Sequence, residues 1–524
     1  MTRSDEVPGA APAPQRDAAA GVTTDIEVES TAGSPDRPGG APAAPDDDPD
    51  VGFTLAPAAP EQDVAERARA LMHQVARELG AVAPDGWQRV DVVFASTVVA
   101  DAGFAVFSDA QQRAVRWNPT PQVLALVREH RQLSARLGDG PWWRLLLGLT
   151  SSGQIEVDYD YGDEPFPDDQ LFAPEIYRAD LEAFPRTTLP VWLAAYLFHG
   201  DRQQRSPSAA AAQAAADRSA GVTGEPVDGI PDFPVLAARW TALCAAFVAV
   251  RSEWGPRLTP GLRWFEGASR SGSTLHSLPG GRAVLSGGLW NAPELDAAYN
   301  REAPLPALFR GAPEWVAGPV LNHRSGTGQL TFCYWWDGGR WYRGESPAAE
   351  GIAGAVPGIW DTATVVRIVT GLILEADPSE ERKAAVEAFV AAAESGTLTR
   401  AILNGLFPES DGFDVDSAFY QLVLGGVTAP DPLPEQHAID RVRGYLTETG
   451  EDTSGYPVAD LRAERVAAGW MVYVPVAPGE IAIGRAIFYV ADDGVLERSS
   501  SSVAPSQYLP DFGRRFRNRN RALI

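Results

Sequence analysis

Apolar residues recur at helical spacing from Val64 through Ala68, Leu71, Met72 and Val75 to Leu79, and Gly80 ends the run. This predicts an amphipathic helix starting near Glu61. The period then drops to two, predicting short strands over 87–96, 102–108 and 114–117. A helix is expected from 121 to about 137, broken by Gly138 and Gly140. Residues 142–149 read as a strand, 151–153 as a turn and 154–161 as a further strand. A helix over 189–198 closes this first unit.

A second unit repeats the order of elements. Its opening helix is predicted at 234–251, with strands at 262–266, 273–278 and 282–285 and a helical piece at 292–302. Glu314 and Trp315 then open a strand, 325–328 form a turn, and 329–336 form the final strand. The phrase Gly328 to Trp336 has the shape of Gly153 to Tyr161, which suggests a divergent internal copy. Residues 201–230 between the units read as a linker; their alanine run has no apolar stripe wide enough to dock strongly. Residues 346–430 read as a helical segment, with periodic runs at 365–374, 380–395 and 419–424. The last unit, 435–515, opens with a helix over 435–447, followed by strands at 459–466, 469–475 and 481–490. The expected class is α+β: tandem small antiparallel sheets with helices packed on one face, in three modules. Residues 1–60, rich in Ala, Pro, Gly and Asp, are expected to be a disordered acidic tail.

Charge singles out one strand. Between Arg144 and Arg178 there are eight carboxylates and no basic residue. Ile155, Val157, Tyr159 and Tyr161 alternate with Glu156, Asp158 and Asp160, and Asp163, Glu164, Asp168, Asp169 and Glu175 follow. Alternation of this kind predicts a half-buried strand with an acidic exposed face. Same-face residues lie roughly 7 Å apart, close to the spacing of phosphates along one nucleic-acid strand. The whole chain agrees, with 44 Lys+Arg against 69 Asp+Glu and a net charge of -25. A field of this sign favours basic partners and disfavours nucleic acid and anionic membrane. In the second unit Thr331, Cys333 and Trp335 replace the acids, so an aromatic surface centred on Trp335 is expected there.

Catalytic signatures are missing from the sequence. The six histidines show no H-E-x-x-H or H-x-H pairing, and there is no phosphate-binding glycine loop, dinucleotide fingerprint or G-x-S-x-G. Counted from Asp158, a calcium loop would need Gly at its sixth position and Glu at its twelfth; Gly162 is fifth and Asp169 twelfth. No metal and no cofactor are therefore expected. Cys244 and Cys333, the only cysteines, are too few for a disulfide framework, and no apolar run is long enough to span a membrane. A cytoplasmic location is expected. The tail arginines Arg514, Arg515, Arg517, Arg519 and Arg521 are expected to be solvated or to dock on the protein's own acidic surface.

The first unit resembles the YezG-like immunity proteins of bacterial polymorphic toxin systems. The resemblance rests on the opening helix, Asp85-Gly86-Trp87, Trp142 through Leu149, and above all Ser152 to Tyr161. The last unit resembles YrhB-type immunity domains through Gly469 to Tyr473 and the hairpin at 488–495. A string of such modules resembles polyimmunity proteins. The resemblance implies a cytoplasmic antitoxin that binds a toxin domain, often a nuclease, and blocks its active site; the second unit departs at the acidic positions, so its partner does not carry over. The charge and strand pattern, not the resemblance, gives Glu156, Asp158, Asp160, Asp163, Glu164, Asp168, Asp169 and Trp335 as the expected contact residues, and no catalytic role is expected. A scaffold or secretion-associated adaptor, and an enzyme with an unrecognised site, are the alternatives.

Overall fold

The computed structural model describes residues 60–136, 140–373, 379–450, 453, 455–476 and 484–521. The expected tail, except Pro60, and most of the glycine break at 138–140 lie outside the described residues, as does the start of the strand expected from 481. The chain is α+β, with three antiparallel sheets and helices packed against each.

The first sheet forms from β1 (Trp87–Ser96), β2 (Asp101–Asp109), β3 (Ala114–Trp117), β4 (Arg144–Thr150) and β5 (Ile155–Asp160), in the order β3-β2-β1-β4-β5. The helices α1 (Pro60–Ala81) and α2 (Pro121–Ser134) supply one cover. Thr120 caps α2 by accepting from the Val123 amide, and Pro121 supplies its first turn. Val75, Leu79 and Val127 meet Val90, Val92, Phe107, Leu145 and Leu147 on one sheet face. Fully burying each such side chain is worth roughly 1.5–3 kcal/mol. The pleat sends Arg89, Asp91, Val93, Leu146 and Gly148 to the other face. Two helices follow, α3 (Pro174–Ala183), which periodicity did not reveal, and α4 (Val191–Phe198).

Trp142 and Trp143 are adjacent and fully buried in different cores. Trp142 joins the core under α1 and α2, whereas Trp143 packs with Phe166, Tyr177 and Trp192. Polar contacts link the two cores. The Asp180 carboxylate, 1% exposed, accepts from Arg131 Nη2 at 2.7 Å, Trp143 Nε1 at 3.0 Å and the Val98 amide at 2.9 Å. Trp142 Nε1 donates to His130 Nδ1 at 3.2 Å. Indole is only a donor, so Nδ1 carries the lone pair and His130 is neutral, with Nε2 facing the Tyr159 hydroxyl at 3.1 Å. Strand β5 is thereby tied to α2 from beneath.

The second sheet is larger than expected. It contains β6 (Glu225–Val227), β7 (Arg257–Thr259), β8 (Leu262–Glu266), β9 (Gly272–Leu278), β10 (Arg282–Gly288), β11 (Phe332–Asp337) and β12 (Arg340–Arg343). Their order is β6-β12-β11-β10-β9-β8-β7. The expected linker contains α5 (Pro207–Ser219) as well as β6, and it is docked. Ala210 and Ala214 are buried, and Gln203 exchanges two hydrogen bonds with the Leu330 backbone at 2.7 and 2.9 Å. Small side chains permit this approach, for a Cβ on Gly224 would meet Trp335 at 2.3 Å. The strand expected at Glu314 is a short 3-10 turn instead.

The helical segment is not separate either. Helix α6 (Phe233–Ala249) lies between the sheet and α8 (Thr362–Leu372), α9 (Glu380–Ser395), α10 (Arg400–Leu406) and α11 (Val415–Leu424) in one shared core. The module boundary placed at 345 therefore falls inside a hydrophobic core. The internal-copy expectation also fails on topology. After its helix the first unit returns to pair β4 with β1, the first strand of its meander. In the second unit the intervening helix is α7 (Pro293–Asn300), and β11 pairs with β10, the nearest strand. The first two modules are continuous: Leu295 and Tyr299 of α7 share a core with Trp143 and α4, and Asn300 bonds the Leu189 backbone through both amide atoms.

The third sheet is a meander of β13 (Arg462–Val466), β14 (Gly469–Tyr473), β15 (Ala486–Ala491) and β16 (Leu496–Ser500). It is covered on both faces, not one. The helix α12 (Glu435–Thr449) packs on Val472, Phe488 and Val490, and α13 (Pro505–Arg521) packs Phe512 and Phe516 on Tyr489 and Ala491. Arg515 and Arg519 bind Glu497 and Asp493, so this part of the arginine-rich tail docks on the chain's own acids. Those contacts, led by the Arg515 hydrogen bond, hold the Glu497 carboxyl below its usual pKa.

Two outcomes follow from the buried polar groups of the first module. Arg131→Met strands Asp180 in the interior and is expected to cost roughly 3–5 kcal/mol in denaturant unfolding. Arg67→Met breaks only the exposed pair with Glu129 and is expected to cost under about 1 kcal/mol. Burial pushes His130 from 6.5 down to about 4. The unfolded chain takes up that proton first, so its contribution is complete above pH 6.5 and is lost as pH falls toward 4. His130→Gln is expected to flatten the stability profile across that interval.

Candidate functional site

The face of the first sheet turned away from α1 and α2 carries an open cleft of about 310 Å³. Its rows follow from the strand register. Asp91 on β1 is opposite Val106 on β2 and Gly148 on β4, and Gly148 is opposite Glu156 on β5. One pleat along, Phe104, Val93, Leu146 and Asp158 form the next row. The row of Phe104, Val93 and Leu146 is thus apolar, the neighbouring row carries Asp91 on the central strand, and the β5 side is acidic. Apolar centre with charged rim is the layout of many protein-binding surfaces.

Arg89, on the central strand β1, reaches across β4 to the acidic side. It donates to Asp91 at 2.8 Å and to Glu156 at 3.3 Å. Asp91's hydrogen bond and charge hold the guanidinium above its usual pKa, with Glu156 adding to the effect. Gly148 supplies the space, because a Cβ there would meet Arg89 Nη2 at 2.8 Å. All three side chains are about half exposed, so each contact is worth at most ~1 kcal/mol and is screened by salt.

The seven expected acidic contact residues separate into three groups. Glu156, Asp158 and Asp163 are exposed on or beside β5, and Asp158 and Asp163 form no ion pair among the described residues. Asp158 uses one oxygen to accept from the Tyr159 amide at 2.9 Å. Asp160 and Glu164 are already engaged. Asp160 pairs with Arg144 at 2.7 Å and accepts from the Gly162 amide, while Glu164 pairs with Arg270 of the second module at 2.8 Å. Asp168 and Asp169 are exposed but belong to a short 3-10 turn before α3 rather than to the strand.

Trp335 is a correction. It is 2% exposed, packed against Tyr342 in a core with Val284, Leu308 and Val316. Thr331 and Cys333 are buried as well. β11 lies inside a sheet covered on both faces at that point, so its two sets of side chains both enter cores. No aromatic surface forms there.

Sequence reasoning missed Arg89, Asp91, Val93 and Leu146. A signal existed in Leu145-Leu146-Leu147: three consecutive apolar residues on a strand must send at least one to the face opposite the core. Among the described residues no cluster of three or more metal-ligating side chains occurs, and no helix is long and apolar enough to cross a membrane.

Comparison of the chain with protein-family models gives no match, and comparison with curated proteins gives none either.

Proposed function

We propose that this chain is a cytoplasmic immunity-type protein that binds and neutralises one or more toxin protein domains, with a basic nuclease domain as the expected class, and that it acts by binding rather than by catalysis. The observation that carries this reading is the bare face of the first sheet. Val93 and Leu146 offer apolar contact in the cleft, and Glu156 and Asp158, with Asp163 beyond them, offer negative charge along one side. A nuclease holds phosphates with basic side chains, and such a groove is complementary to that charge. Asp158 and Asp163 retain their charge for a partner, whereas Asp160 and Glu164 are partly neutralised within the chain.

This division makes the reading specific. Asp158→Lys combined with Asp163→Lys is expected to lower the association rate with a basic nuclease toxin domain that the chain binds by about tenfold or more at low salt. The deficit should shrink as ionic strength rises, because the field is screened within about 10 Å at 0.1 M salt. Stopped-flow association at several salt concentrations measures it. Unchanged rates would remove the role assigned to this face.

A further inference from the structure

A cavity of about 550 Å³ opens on the outer face of the second sheet, far along the chain from the acidic strand. The reason is incomplete coverage. Over β10 and β11, Val284, Cys333 and Trp335 are buried beneath Ala210 of α5 and the residues Leu308, Phe309 and Val316. Over β8 and β9 that cover stops. Register puts Leu262 opposite His276, Trp264 opposite Thr274, and Thr274 opposite Ser286, so these side chains share the outer face. Val320, His323 and Arg324 form the remaining wall. Trp264 is left 41% exposed and Val320 79% exposed.

The lining has a definite chemistry. The Trp264 indole is a flat, half-exposed wall, and its Nε1 has no hydrogen-bond partner among the described residues. Neither ring nitrogen of His276 has one either. Burial lowers the His276 pKa from 6.5, so its imidazole is neutral and presents one donor and one acceptor. Ser286 donates to the Leu321 carbonyl at 2.7 Å and therefore accepts from the Thr274 hydroxyl at 3.4 Å, which leaves the Thr274 oxygen free to accept. At one end Arg324 Nη2 contacts both Glu266 oxygens, at 2.6 and 2.8 Å, so the two formal charges cancel within the wall. The volume falls within the range of small-molecule sites, roughly 300–1,000 Å³.

We infer that this cleft binds a small neutral heteroaromatic molecule, its ring stacked on Trp264 and its hydrogen-bonding edge directed at His276, Thr274 and Ser286. A planar ring matches the indole face. A polar edge supplies partners for the His276 ring nitrogens, which have none among the described residues. Neutrality follows from the internal cancellation of Arg324 by Glu266. The site is independent of the toxin-binding face, and nothing in it requires that function.

Adenosine and indole, each added separately to the full chain, are the probes, read by saturation-transfer NMR and by titration. Transfer to the ring protons of at least one probe is expected. Trp264→Ala is expected to weaken that binding about tenfold or more, equivalent to about 1.4 kcal/mol. Val320→Trp, at an exposed position that leaves the core intact, is expected to fill the mouth and weaken it similarly. Circular dichroism and thermal unfolding confirm that both variants remain folded. Absence of transfer from both probes, or binding unchanged in both variants, would overturn the assignment.

Discussion

The buried carboxylate of Asp180 determines how the first half of the molecule is assembled. It receives a guanidinium from α2, an indole N–H from the start of β4 and an amide from the turn between β1 and β2. Those three donors come from parts of the chain up to 82 residues away. An ionised carboxylate buried without them would be costly; satisfied, it fixes β4 against α2 and α3. Trp142 and Trp143 are then committed to opposite cores. The core around Trp143 extends into α7, so the same contact that orders the first sheet also joins it to the second module. The modules are consequently not beads on a linker.

Once the sheets are set, function follows from what covers them. The third sheet is closed on both faces by α12 and α13. The second is closed over one face by α6 and its neighbouring helices, and over half of the other by α5 and the segment around Leu308. The first is closed on one face only. Each bare area is therefore a local end of coverage, and each exposes a different chemistry: carboxylates on β5, and an indole with neutral polar groups on β8 and β9. Exposed apolar residues beside such groups are the feature that separates a binding face from ordinary solvated sheet.

Local periodicity revealed much of this. Helix α1, the three strands after it and the acidic alternation of β5 were legible because each depends on near neighbours in sequence. The pairing of β4 with β1 was not, since order in a sheet depends on contacts that periodicity does not encode. For the same reason the acid strand read as more charged than it is. Arg89 reaches Glu156 across 67 positions of sequence, and Arg144 reaches Asp160 across 16. Trp335 was misplaced for a different reason. The run Phe332-Cys333-Tyr334-Trp335-Trp336 is apolar throughout, the pattern of a strand buried on both faces rather than one. Helix α5 docks through close approach of its alanines and through Asp217, and the segment before it through Gln203, both bonding to backbone, which a search for an apolar stripe overlooks.

The central claim is that the uncovered face of the first sheet is where a cationic partner binds. Hydrogen exchange read by mass spectrometry, on the full chain with and without a basic nuclease toxin domain that it binds, tests it most directly. Slowed exchange is expected in peptides covering β1, β4 and β5, around Asp91, Gly148 and Asp158. Protection confined to the third sheet, with β4 and β5 unchanged, would contradict it.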